Sequence, residues 1–338
     1  MGSRLLNFDI AKAICIILVA IGHYVPSGMP VWYQNLHDWI YLFHMPLFMF
    51  ASGYIYIHYK HDESYGTFIW KKIKRLMFPY FSTSAIVITI KLLTQKGMYV
   101  ENPVTYTSYL KMFYLPEAGY FLWFIWALFL MFCIVPLFEN RMARSILFAL
   151  AVLWRYCYSF NITELFCIKQ AAGMLIWFML GVMCVDWKDG YKVLVENKTI
   201  CRVIMVFLCV AFVTCSVAVF CYNPTEEFTS ILKVFMPWLG IGCIMSVSTC
   251  LALFAEKKFM YPLLAVGSSS YIIYLFHTTF MGFAKSFVHK IPIMNGCDDM
   301  MFTLGVVIVV SAGVVCPVIL HKYVLNRWKI TKIMFGLK

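Results

Sequence analysis

Lysine and histidine stand inside stretches of this sequence that are otherwise apolar, and these are the side chains that could do chemistry. The segment NFDIAKAICIILVAIGHY carries Lys12 and His23 eleven residues apart. On an α-helix that spacing is about three turns, with roughly 20° of angular drift and about 16 Å of rise. Both side chains therefore line one face, a cation near one end and an imidazole deeper in. An ionisable group inside a membrane span costs roughly 2.5 to 3.5 kcal/mol on insertion scales, so it faces a cavity or a partner. The pair can line one slot. It can equally be a lysine that reaches along its helix to the membrane edge and a histidine that caps a neighbouring helix.

Further candidates follow along the chain. His44, in FHMPLFMFASGY, precedes Pro46 by two residues and gains meaning if it converges with His23. KKIKRLMFPY sets Lys72 and Arg75 three apart, on one face of a helix at a membrane entrance. They suit either a phosphate clamp, with Arg75 able to bind bidentately, or a basic anchor at the inner surface. Trp123 and Trp126 in LWFIWALF fit an aromatic belt or a substrate platform. VGSSSYIIYLFH brings Tyr271, Tyr274 and His277 onto one late helix, where hydrogen bonding between helices is the plainer role. No G-x-S-x-G elbow, H-E-x-x-H pair or Walker loop is present. The 13 cysteines form no C-x-x-C pair and fall mostly in apolar runs, so no metal centre is expected.

The elements that must position these residues are long and apolar. With 62% hydrophobic and 13% charged residues, against about 25% charged in a soluble domain, the chain is made for lipid. The apolar runs are unbroken, which favours helices over a β-barrel's alternation. Spans of about 20 residues fall near 8–25, 39–59, 77–93, 120–138, 145–160, 171–185, 203–222, 231–254, 262–284 and 302–323. The expectation is an all-α, polytopic transmembrane helix bundle of about ten helices. Segment 104–118 is too short and polar to span and reads as interfacial or re-entrant. With a cytoplasmic N-terminus, 19 of the 28 Lys and Arg lie on the inner side and 8 on the outer, Lys12 being inside the first span. That bias places both termini in the cytoplasm. The net charge of +12 sits at helix ends, so nucleic acid is set aside as a partner. Asp9 and Lys12 in the first apolar run argue against a cleavable leader. Without internal repeats or linkers, residues 1–338 read as one transmembrane domain.

In this order and spacing the segments resemble the membrane acyltransferase 3 family, whose members move acetyl or other acyl groups onto sugars of surface and secreted glycans. The resemblance rests on Lys12, ten residues, then His23, with Asp9 upstream. It continues through FHMPLFMFASGY, the basic-x-x-Arg pair Lys72 and Arg75 before RLMFPY, LWFIWALF around Trp123, FMLG at Phe178 to Gly181, and GSSSYIIYLFH at Gly267 to His277. It covers most of the chain. Many relatives have arginine where Lys12 and Lys72 stand, so these two are held as cations and not as planar forks. Some relatives carry a hydrolase-like domain after the last helix; about 15 residues follow the tenth span here, so the membrane domain itself is expected to select the acceptor.

The resemblance implies an acyl-CoA donor, acetyl-CoA in the first place, and a glycan or lipid-linked saccharide acceptor in a cell membrane of the bacterial inner or plasma type. Lys12, Lys72 and Arg75 would hold the donor's phosphates, while the pantetheine arm carries the thioester towards His23. His23 would be the general base, since neutral imidazole accepts a proton near neutrality with little adjustment. Asp9 and His44 join it as catalytic candidates, and Trp123, Tyr274 and His277 as substrate-binding ones. The alternative is a transporter or flippase of a lipid-linked sugar, with the same histidines and lysines on its pathway. It requires no acyl-CoA and usually shows repeat symmetry.

Overall fold

A computed structural model describes residues 5–26, 28–59, 63–98, 100, 102–157, 162–190, 197–221, 226–288 and 299–337. Among them the regular structure is helical, with no strand. The helices are α1 Leu6–Gly22, α2 Val31–His58, α3 Tyr65–Lys72, α4 Phe78–Thr94, α5 Ser108–Lys111, α6 Trp123–Ile134 and α7 Arg141–Cys157. They continue as α8 Ile168–Asp186, α9 Lys198–Cys221, α10 Glu226–Ala252, α11 Tyr261–Val288, α12 Asp299–Leu320 and α13 Lys329–Met334. A helix lies at each of the ten expected spans. Among the described residues eight stretches are long and apolar enough to cross a membrane; α1 and α7, each of 17 residues, are shorter. Segment 104–118 forms only the four-residue α5 and turns.

Two helices begin well before their expected starts. Pro30, in an extended conformation, precedes α2, and the polar run QNLHDW continues as helix from Val31. Pro fits there because the first helical N–H groups have no intrahelical acceptor. Before α4, the basic run is also helical: α3 leads through a π-turn, Ile73–Met77, directly into Phe78. Ser64 caps α3 by accepting from the Thr67 N–H.

The chain divides into two compact units. The first comprises residues 1–59 and 180–270, the second 60–179 and 271–338. In the first, α1, α2, α9 and α10 pack against one another. Its core joins Phe43, Phe212, Met236 and Cys243, and the Trp39 indole donates to Ser216 Oγ at 2.8 Å. Small residues set the close crossings. A Cβ on Gly181 would lie 2.6 Å from the Tyr54 nitrogen and closer still to the Phe50 carbonyl, while one on Gly267 would strike the Asp9 carbonyl. Lipid tails supply no hydrophobic drive between helices, so backbone contact of this kind does the packing.

The second unit is built round α4, α6 and the helices that flank them. Its 102–119 segment is braced by α4: the Gln95 amide pairs with both backbone groups of Val104 at 3.0 Å. The Tyr80 hydroxyl donates to the carbonyls of Met112 and Leu115. Ahead of α8, Phe166 and Cys167 hold left-handed φ values of 54° and 57°, at about 1–2 kcal/mol each for non-glycine residues. They are kept there by the Phe166 N–H on the Tyr114 carbonyl at 2.8 Å and by its ring against Trp126. The described cysteines are free thiols.

Candidate active site

Within the first unit, the end of α1 and the start of α2 bring histidines together. His23 caps α1, and its ring meets Tyr41 edge-on with centroids 6.2 Å apart. The Tyr41 ring also lies 4.3 Å from His37 and 4.8 Å from His44. His44 is buried. Its Nδ1 is 2.7 Å from the Ile40 carbonyl, which can only accept, so Nδ1 carries the proton and Nε2 keeps its lone pair in the neutral ring. His37 presents the same logic at the surface: Nδ1 faces Asp38 Oδ1 at 2.9 Å, a carboxylate that orients the imidazole. His23 and His44 thus both meet the ring of Tyr41.

Positions 37, 41 and 44 fall on one face of α2 by the i, i+4, i+7 rule. Sequence reasoning misses His37 and Asp38, which lie in the polar run ahead of the expected span at 39–59, and Tyr41, which lies inside that span. Heptad spacing across that boundary was the signal that could have found them.

Asp9 is not part of this cluster. It is buried near the other end of α1, about 21 Å of helical rise from His23. There it pairs with Lys12 Nζ at 2.7 Å, an i, i+3 contact. Lys12 is thus one half of an ion pair.

In the second unit, Lys72 ends α3 and Arg75 lies within the π-turn Ile73–Met77 that follows it. The Lys72 ammonium lies 3.7 Å from the centroid of the Phe132 ring and 4.9 Å from that of Phe68. A cation over two ring faces is held by their quadrupoles. Arg75 is exposed. Its backbone is gripped instead: the Tyr271 hydroxyl donates to the Arg75 carbonyl at 3.1 Å. Gly336 packs so closely that an added Cβ would sit 2.8 Å from the same oxygen. Lys71 and Lys74 are exposed on the same stretch, so the turn presents a cluster of cations. π-turns of this kind are frequent at functional sites.

Tyr274 and His277 meet at Phe121. The Tyr274 hydroxyl donates to the Phe121 carbonyl, and the Phe121 ring stands 5.1 Å from His277. His277 Nδ1 points to the carbonyls of Ile273 and Tyr274. Both side chains are buried. Trp123 is half-buried, with its ring edge-on to Phe124. No cluster of metal-ligating side chains occurs among the described residues.

These features define a helical, multi-pass membrane protein with imidazoles at one helix end and cations at a widened turn. The chain belongs to the acyltransferase domain family, whose model matches residues 5–322. It is 28% identical over 205 residues to nodulation protein NolL of Mesorhizobium japonicum, covering 56% of this chain and 51% of that one. To nodulation protein NolL of Sinorhizobium fredii it is 31% identical over 161 residues, 45% of this chain and 42% of the relative. The chain therefore spans about half the length of the curated relatives it matches. No solved structure matches it.

Proposed function

We propose that this protein is a membrane O-acyltransferase that takes an acetyl group from cytoplasmic acetyl-CoA and places it on a hydroxyl of a cell-surface or lipid-linked glycan. The observation that carries this reading is the meeting of His23 with Tyr41 and His44 in a chain that belongs to the acyltransferase domain family. His23 is the general base. It takes the acceptor hydroxyl's proton as the oxygen attacks the thioester carbonyl. The tetrahedral intermediate collapses with cleavage of the carbon–sulfur bond, and the imidazolium returns the proton to the departing thiolate, giving the sugar ester and free CoA. A base so placed contributes typically 10²- to 10⁴-fold.

The donor's phosphates need fixed cations. The exposed Arg75 guanidinium suits bidentate contact, and Lys72 of the same unit adds charge. With both termini cytoplasmic in a bacterial inner or plasma membrane, α1 runs from the donor side at Lys12 to the acceptor side at His23, about 16 Å of rise. That is comparable to an extended pantetheine arm.

The test is incubation of purified protein in nanodiscs with acetyl-labelled acetyl-CoA and membrane-extracted glycolipids. The expected result is label in a sugar ester. Transbilayer movement of unmodified lipid without label transfer would replace this reading with that of a flippase.

A further inference from the structure

The second unit contains a cavity of about 370 Å³ that the donor chemistry does not use. Its size lies within the roughly 300–1,000 Å³ usual for small-molecule sites. Among its lining residues are Asn102, Glu117, Tyr120, Glu164 and Gln170, with no lysine or arginine among those described. A site for CoA phosphates requires cations, so this cavity is made for something else. In the topology read from the charge distribution, segments 94–119 and 161–170 both lie on the side away from the cytoplasm.

The walls are built to keep their shape. Lys91 Nζ holds the Asn102 carbonyl at 3.1 Å, and Gln95 and Tyr80 brace the rest of the 102–119 segment as described above. On the facing side Cys167 is one of the two left-handed residues. Sustained strain of this sort clusters at ligand sites because the surrounding structure must over-determine it.

The polar groups are acceptors and amides beside an open ring. Glu117 Oε1 and Glu164 Oε1 each have a lysine, Lys111 and Lys169, at 3.4 Å, which leaves the rim close to neutral while the carboxylates keep lone pairs for further donors. The Gln170 amide nitrogen lies 3.0 Å from the Tyr120 hydroxyl. Its Oε1 is buried with no donor among the described residues, an acceptor that a ligand hydroxyl satisfies when the amide turns. The Tyr120 ring is 62% exposed, a flat apolar face beside carboxylates. A polyhydroxylated ring has hydroxyl donors on its edge and C–H groups on its face, and it matches both.

The geometry points to this cavity as the saccharide subsite, taking a neutral or amino sugar by its hydroxyls at Glu117 and Glu164 and by its ring face at Tyr120. The inference rests on the acyltransferase reading for its role as the acceptor's place, but its test reads sugar binding directly.

Fluorescent protein in nanodiscs is applied to a printed array of neutral, amino-sugar and uronic-acid oligosaccharides, with the acetyl-CoA Kd measured in parallel. Wild type should bind neutral or amino-sugar oligosaccharides. Glu164→Gln and Tyr120→Ala should each weaken that binding at least tenfold, and Leu110→Ala, at an exposed position outside the cavity, should not. A silent array, binding of uronic acids only, or equal binding by all four proteins overturns the subsite. Sugar binding lost in the two variants together with no acetyl-CoA binding in wild type supports the subsite and overturns the acyltransferase reading instead.

Discussion

The Tyr271 hydroxyl holds the carbonyl of Arg75 at 3.1 Å, 196 residues away in sequence and inside the π-turn. A widened turn loosens the usual carbonyl pairing, and this bond fixes the stretch from which the guanidinium projects. Tyr271→Phe removes a neutral hydrogen bond of about 0.5–1.5 kcal/mol, so the acetyl-CoA Kd should rise about 2- to 10-fold. Arg75→Ala should raise it more than tenfold. Calorimetry on protein in nanodiscs measures both; an unchanged Kd in Arg75→Ala would remove Arg75 from the donor site.

Lys72 offers a contrast, because its ammonium already faces two rings. Lys72→Gln leaves Phe68 and Phe132 without their cation. A loss of about 0.5–2 kcal/mol in stability should follow, seen as a lower thermal midpoint, together with a smaller rise in donor Kd than Arg75→Ala causes. A larger rise than that of Arg75→Ala would make Lys72 the principal phosphate ligand.

The glycine at the crossing of residues 180–186 with α2 gives a prediction about folding alone. Gly181→Ala forces a Cβ against the Phe50 carbonyl and the Tyr54 nitrogen, and backbone does not yield as a side-chain tip would. Destabilisation of about 1–3 kcal/mol or more is expected, with reduced yield of monodisperse protein. Gly173→Ala, which meets nothing within 4 Å, should be neutral. Equal behaviour of the two would show that the close crossing is not what holds these helices.

His37 and Asp38 form an oriented pair beside Tyr41 without belonging to the proposed base. His37→Asn should lower kcat severalfold by disturbing the ring that His23 meets, and leave the acetyl-CoA Kd as it was. If His37→Asn abolished turnover while His23→Ala did not, the roles of the two histidines would be exchanged.

Much of this was legible in the sequence, for reasons that differ by element. Unbroken apolar runs mark where the long helices lie, since lipid permits no other open-ended element, and eight stretches among the described residues are long and apolar enough to cross a membrane. The start of α2 is not legible in the same way, because QNLHDW is polar and polarity alone reads as the end of a helix. In the structure Pro30 sets that boundary, and the polar run contributes His37 and Asp38 beside Tyr41. Lys72 and Arg75 are visible in the sequence as a basic pair, but the π-turn at Ile73–Met77 and the rings of Phe68 and Phe132 that hold the Lys72 ammonium depend on packing that no local spacing reports. Asp9 was grouped with His23 by role, whereas helical rise alone sets it with Lys12. The cavity at Glu117 and Glu164 was invisible in sequence, since it is closed by contacts of Tyr80 and Gln95 with a segment that carries almost no regular structure.

In the proposed reaction His23 removes the proton from the acceptor hydroxyl. Its most direct test is the turnover of purified His23→Ala with labelled acetyl-CoA and extracted glycolipid, measured beside its acetyl-CoA Kd. Turnover should fall by at least 10²-fold, with the Kd within twofold of wild type and the protein monodisperse. Wild-type turnover by His23→Ala would contradict it.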